Sequence, residues 1–455
     1  EGARQGLHVS SLPTRLDRDY TRKLLQQAPA AYRTQVNDLL LTALARVIAR
    51  WTGQAEVLVQ LEGHGREELF DSIDLTRTVG WFTSMFPVRL SPVSDLEGSI
   101  KQIKEQLRAV PDKGVGFGAL RYLGEPAARQ ALAGLAVPRI TFNYLGQFDG
   151  SFAGQSEQGA QVPGFFSPAV ESSGASQDAQ APLANWLTIN GRVYAGELSL
   201  VWSFSREMFS AQTVQHLADD YAVELKALIE HCLAETTAGI TPTDVPLAGL
   251  SQAQLDSLPV APAQIEDVYP LSPMQQGILF HAVEDDQADL YINQTSVPVT
   301  GLDAQRFINA WQQAVRCHPI LRTSFHTGSA LGEPVQVVHR HATMDICLLD
   351  WSAGSATDQD LAQRVLEDRQ RGFDLARAPL MRVTLVQMAD RQHLIWTSHH
   401  LLMDGWSASR LIGDVLAGYA GAPLEPQAYR YRDYIAWLQR QDIAASEAFW
   451  RVKLD

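Results

Sequence analysis

The stretch Val36 to Trp51, VNDLLLTALARVIARW, is followed by Ala55 to Leu61, AEVLVQL, and then by the polar run Glu62 to Glu68, EGHGREE. In the first segment apolar side chains fall at 36, 39, 40, 44, 47, 48 and 51, the three-and-four spacing of a helix face that packs on a sheet. The second is short and β-branched, which predicts a strand buried on both faces. A core helix feeding a buried strand through Thr52-Gly53 is the unit of an α/β layered fold.

The same alternation spreads outward. Residues 151 to 182 are Gly, Ser, Gln and Ala with few large apolar side chains, which predicts a long flexible loop. Trp186 to Ile189 and Val193 to Phe204 flank Asn190-Gly191, a pair that predicts a type I′ hairpin turn, and Glu207 to His231 has helical spacing. Leu233 to Ile265 carries Pro242, Pro246, Pro259 and Pro262 among small polar residues and is the best domain boundary. Beyond it come a helix near Ser272, a strand Tyr291 to Val299, a helix Asp303 to Cys317 and a strand Thr323 to His326. A helix near Asp358 to Arg371 and a hairpin of Met381 to Met388 with His393 to His399 complete the second half. Both halves therefore read as α+β layers on mixed sheets.

Composition narrows the function. The 455 residues are 45% hydrophobic with a formal net charge of -14, so real cores can be buried and no basic face exists for nucleic-acid phosphates. Three separated cysteines without CxxC spacing signal neither a disulfide framework nor a zinc-thiolate site, and a reducing cytoplasm is the expected compartment. No apolar run is long enough for a membrane span. His339 and His341 lack a metal-ligand companion, so no metal is expected, and Gly114-Val115-Gly116-Phe117-Gly118 reads as a tight loop rather than a dinucleotide fingerprint.

Three groups of residues could carry chemistry. In His399-His400-Leu401-Leu402-Met403-Asp404-Gly405-Trp406-Ser407 the adjacent histidines must point to opposite faces, one to a core and one to a cleft, where an imidazole can hold or take a proton. Asp404 and Gly405 suit a turn, and Ser407 can cap the helix through Tyr419. Glu62, His64 and Arg66 lie within one turn between glycines. They form either a solvated loop with an internal ion pair or a site in which a desolvated Glu62 accepts a proton from a carbon acid. Asn143 and Tyr144 of FNYLGQF could hydrogen-bond a developing enolate, or be a buried strand with a satisfied tyrosine.

These motifs resemble a known family. NDLLLTALA from Asn37, EGHGRE from Glu62, RTVGWFTSMFPVRL from Arg77, PDKGVGFG from Pro111 and FNYLGQFD from Phe142 resemble the second half of an epimerization domain of a nonribosomal peptide synthetase. VYPLSPMQQGILFH from Val268, RCHPILRTSF from Arg316, HHLLMDGWS from His399 and YRDYIAW from Tyr431 look like the first half of a condensation domain of the same systems. The resemblance implies chloramphenicol-acetyltransferase-like lobes: residues 1–232 from an epimerization domain, 233–265 an inter-domain linker, and 266–455 from a condensation domain of the D-donor/L-acceptor type. It implies that His400 is the condensation histidine, as base or as positioning group, supported by His399. It further implies that Asp404 pairs with Arg322, that Gly405 leaves room for the phosphopantetheine arm of neighbouring carrier domains, and that Glu62 moves the substrate Cα proton with Asn143 and Tyr144 in support and His64 and Arg66 around it. The implied partners are carrier domains, adjacent adenylation domains and the complementary lobes. A chain of two half domains is then expected to be inactive alone, and a catalytically silent docking platform for carrier proteins is the alternative.

Overall fold

A computed structural model describes the chain except for residues 1–4, 68–72, 148–153, 156–160, 163–173, 175–177, 184, 236, 285–290, 355, 425–427 and 455. The chain divides into two compact units, residues 1–243 and 244–455.

The first unit is built on a six-stranded sheet. Its strands are β1 (Val9–Leu16), β2 (Val57–Gly63), β3 (Ser84–Leu90), β4 (Ile140–Gln147), β5 (Leu187–Tyr194) and β6 (Glu197–Ser205), in the spatial order β1-β6-β5-β4-β2-β3. β4 runs parallel to both β2 and β5, and the remaining pairs are antiparallel. Helix α1 (Val36–Thr52) starts at a capping box in which Asp38 accepts from the Gln35 amide at 2.7 Å, and it stops at Gly53 with φ +66°. Its residues Leu39, Leu40, Leu41, Leu44, Val47 and Ile48 are buried with α2 (Leu96–Arg108), α4 (Ala211–Leu233) and the sheet residues Leu61, Phe142, Trp202 and Phe204. The Tyr221 hydroxyl of α4 donates to the Leu40 carbonyl at 3.2 Å, fastening the two helices.

Several expectations change here. β2 is buried on the face of Val57, Val59 and Leu61 but only half-buried at Leu58, Gln60 and Glu62, because α1 covers one side of the sheet only. Trp51 is 46% exposed, against Phe209 at the end of the helix. The hairpin turn is not Asn190-Gly191. Both residues lie within β5, where Gly191 opposes Leu200 and Tyr144, and the chain reverses at Ala195 and Gly196, with φ +52° and +76°. Burial of Leu187, Ile189 and Val193 holds β5 straight through the Asn-Gly pair. Gly116 and Gly118 belong to helix α3 (Val115–Leu123) rather than to a loop, and Gly114 precedes it at φ +83°, where a Cβ would strike the Phe86 ring at 2.1 Å. Ser210, not Glu207, marks the start of α4, its side chain accepting from the Thr213 amide. Most of the loop expected over 151–182 lies outside the described residues; its end, Asp178–Pro182, bonds to residues 5–7.

In the second unit the Pro-containing stretch is folded. Short turns at Pro246–Ala248 and Pro262–Gln264 and a helix α5 (Gln252–Asp256) bury Val245, Leu250, Leu255 and Leu258, and Gln254 donates to the Leu331 carbonyl. A three-stranded sheet joins β7 (Ile265–Pro270), β9 (Thr323–His326) and β10 (Val335–His339), with β10 central. A four-stranded sheet orders β8 (Ile292–Val299), β13 (Gln392–His399), β12 (Met381–Gln387) and β11 (Asp345–Asp350). Helices α6 (Ala304–Cys317) and α8 (Gly405–Tyr419) share the main core with Met381, Val383 and Trp396, while α7 (Asp358–Gln370) supplies Leu361 against Val386 and Ile395. Asp368 of α7 is buried with Arg382 (3.0 Å) and accepts from Thr397. Among the described residues no helix is long and apolar enough to cross a membrane, and no cluster of three or more His, Cys, Asp or Glu could hold a metal ion.

Candidate functional site

Each unit presents a polar group at a strand end. Strand β13 is buried from Ile395 to His399, and the chain leaves it at His400. His399 is 4% exposed and its Nδ1 accepts from the Leu401 amide at 3.2 Å. Burial holds its pKa down to about 4, with the neighbouring His400 adding to the shift. His400 is half-buried. Its backbone N–H donates to the Tyr291 carbonyl at 2.9 Å, and its Nδ1 receives Asn293 Nδ2 at 3.0 Å. The adjacent histidines thus separate as alternation requires: a buried neutral one and one with a ring nitrogen available.

The neutral state of His399 makes stability pH-dependent. Its folded-state pKa lies below the ordinary 6.5, so the unfolded chain takes the proton first and stability falls as pH drops from about 6.5 to about 4. The loss approaches about 3 kcal/mol. His326 and His339 are lowered chiefly by burial as well and act in the same direction. Urea titrations across this window should show the decline, and His399→Gln should flatten it; a decline unaltered in that variant would remove His399 as its source.

Asp404 and Arg322 are not paired. Asp404 is exposed and is itself the N-cap of α8, Oδ1 accepting from the Ser407 amide at 2.8 Å, so Ser407 is not the capping residue. That bond holds its carboxyl below the usual range. Arg322 is buried and donates to Glu266 at 2.6 Å, to the Val315 carbonyl at 3.2 Å and to the His339 carbonyl. β7 brings Glu266 to the guanidinium, and capping commits Asp404 elsewhere. Asp404→Ala should therefore cost about 1 kcal/mol, the worth of a cap, and Arg322→Ala about 3 kcal/mol through stranded partners. The double variant should be additive by denaturant unfolding; a coupling above about 0.5 kcal/mol would restore the pair. A Cβ on Gly405 would meet nothing within 4 Å, so the start of α8 is open. Next to it Met403, Trp406, Ser407 and Arg410 line a cavity of about 350 Å³ with His318 and Leu321.

In the first unit β2 and β4 run parallel with Leu61 beside Phe142, which sets Glu62 beside Asn143. Asn143 Nδ2 donates to Glu62 Oε2 at 2.8 Å. Glu62 opposes Met85 of β3, and Met85 and Gln60 line a cleft of about 490 Å³ with Pro87, Phe117 and Tyr122. Tyr144 is not part of this arrangement. It faces the other side of β4 with Phe142, half-buried against the core, and burial raises its pKa. His64 turns back on its own loop, Nδ1 accepting from the Arg66 amide at 3.0 Å and Nε2 lying 3.3 Å from Glu67. Arg66 stacks over the Phe82 ring at 4.2 Å and donates to the Leu75 carbonyl. Gly65 is required there: at φ +66° its Cβ would overlap the Phe82 carbonyl.

Sequence reasoning missed two contributors. Lys113, in a left-handed turn with Asp112 and Gly114, holds Glu67 at 2.7 Å. Asn293 lies on a strand that the sequence does predict, but its contact with His400 depends on the β8–β13 register, which no local pattern carries.

The family described as the condensation domain matches residues 5–244 and 265–455. A linear gramicidin synthase polypeptide of Brevibacillus parabrevis is 42% identical over 98% of this chain, and bacitracin synthase 3 of Bacillus licheniformis is 35% identical over 96%. This chain spans 9% and 7% of those proteins. Among solved structures, the epimerization domain from the third module of tyrocidine synthetase B is 37% identical, with a TM-score of 0.45 over 51% of this chain and 50% of that one. With that family matching nearly the whole sequence and relatives that are gramicidin and bacitracin synthases, this α/β layered chain belongs to the condensation-domain family of nonribosomal peptide synthetases.

Proposed function

We propose that the chain is a module junction of a peptide synthetase. Residues 1–232 are the C-terminal lobe of an epimerization domain, 233–265 the connection, and 266–455 the N-terminal lobe of a condensation domain, both lobes chloramphenicol-acetyltransferase-like. The first acts at Cα of a carrier-bound aminoacyl or peptidyl thioester, and the second joins the resulting D-configured donor to an L-configured acceptor. His400 faces the condensing thioester, and Glu62, held by Asn143, is the proton-transfer group of epimerization, while Tyr144 packs on the core side of the same strand. Carrier domains bring the substrates on phosphopantetheine arms, adenylation domains load them, and the work takes place in the cytoplasm.

The observation that carries the reading is the separation of the paired histidines, one buried and neutral and the next at the strand end with a ring nitrogen to spare. The family match in two stretches, residues 5–244 and 265–455, supports two lobes of one family on either side of the connection. Chiral analysis of the peptide made by the parent synthetase tests the stereochemical part. The residue donated across this junction is expected to be D and the accepting residue L; an L residue at the donor position would overturn it.

A further inference from the structure

We infer that Asn293 fixes His400 as the tautomer that carries its proton on Nε2, so that His400 serves condensation as a hydrogen-bond donor to the developing oxyanion and not as the base that takes the amine proton. The inference rests on the reading of His400 as an active-site residue.

The placement follows from register. β8 and β13 are antiparallel with Ile292 opposite His399 and Asn293 opposite Ser398, so Asn293 and His400 are diagonal neighbours on one face. The strand end is held by the His400 amide bond to the Tyr291 carbonyl, and Tyr291 sits at φ +65°, a conformation bulky side chains seldom adopt. Asn293 Nδ2 lies 3.0 Å from His400 Nδ1. With its NH₂ turned to the ring, Asn293 donates, Nδ1 offers its lone pair, and in neutral imidazole the proton then resides on Nε2; the opposite amide orientation would put the proton on Nδ1, and the spectra below decide between the two. Among the described residues Nε2 has no hydrogen-bond partner, so a donor there is free to act.

The chemistry is complete with that donor. The amine lone pair forms the C–N bond at the thioester carbonyl while the π pair moves to oxygen, and Nε2–H donates to that oxygen. Collapse breaks the C–S bond, and the proton lost from nitrogen ends on the departing sulfur.

Long-range proton–nitrogen NMR spectra of the ¹⁵N-labelled chain near neutral pH read the tautomer directly, with His400 assigned by its disappearance in His400→Gln. Nδ1 is expected to be unprotonated and Nε2 protonated. Asn293→Asp, whose carboxylate only accepts, is expected to move a proton onto Nδ1. Asn293 is exposed on an edge strand, so the variant keeps the core intact. A protonated Nδ1 in the unmodified chain, or an unchanged tautomer in Asn293→Asp, would overturn the inference. In the parent synthetase Asn293→Asp is expected to lower kcat for amide formation about 10²-fold, with KM for the acceptor carrier unchanged; a rise in KM alone would reduce Asn293 to a structural residue. If His400→Ala leaves amide formation intact while the spectra hold, the assignment of His400 to the active site fails and the tautomer stands.

Discussion

His400→Ala in the parent synthetase is expected to slow amide bond formation by about 10²–10³-fold, the range seen when one preorganised donor to a developing oxyanion is removed. The side chain is suited to such a test because it does little for the fold. Among the described residues its ring bonds to Asn293 alone, both residues are at least partly exposed, and its anchoring bond to Tyr291 is made by the backbone, which alanine keeps. His399→Ala is the contrasting variant: it empties a buried position and releases the Leu401 amide, so it should lower stability first and rate only as a consequence. Formation of the dipeptidyl thioester, followed by mass spectrometry of the acceptor carrier with both carriers preloaded, separates the two. An undiminished rate in His400→Ala removes the histidine from the chemistry.

Much of this arrangement is legible in the sequence. The three-and-four spacing of VNDLLLTALARVIARW marks α1, because burial on one face leaves a periodic trace, and the runs Trp186 to Ile189 and Val193 to Phe204 around a turn signal mark a hairpin. What stays hidden depends on partners distant in the chain. Asn190-Gly191 has the composition of a turn, yet three buried neighbours keep it in a strand, and Ala195-Gly196 turns instead. Asp404 and Ser407 are both good capping residues three apart, and only the observed Asp404–Ser407 bond says which begins the helix. The partner of Arg322 is decided by β7, more than fifty residues upstream, and the Glu62–Asn143 contact by the parallel register of two strands separated by eighty residues. Local pattern gives elements and the face each buries. Register and long-range pairing decide which polar side chains meet.

Glu62→Gln puts that last pairing to the test, and it is expected to reduce epimerization in the parent synthetase by about 10²–10⁴-fold, the contribution of a positioned proton-transfer group. Glutamine keeps the size of the side chain and an oxygen to accept from Asn143 Nδ2, so the sheet and the hydrogen bond survive while the capacity to hold a proton is lost. Washing deuterium from solvent into Cα of the carrier-bound residue, together with chiral analysis of the released amino acid, distinguishes the ways in which Glu62 could act. If both exchange and inversion stop when the substrate is loaded as the L form, Glu62 is the group that removes the proton. If exchange from the L form persists while inversion is lost, a base on the opposite side removes the proton and Glu62 returns it on the face that yields D. Exchange and inversion at undiminished rates would show that the carboxylate at the end of β2 is a structural partner of Asn143 and nothing more. Asn143→Ala sharpens the comparison, since it leaves the carboxylate in place and removes only the donor that aims it. A loss of about tenfold, smaller than that of Glu62→Gln, is expected for a residue that orients a proton-transfer group without carrying the proton itself.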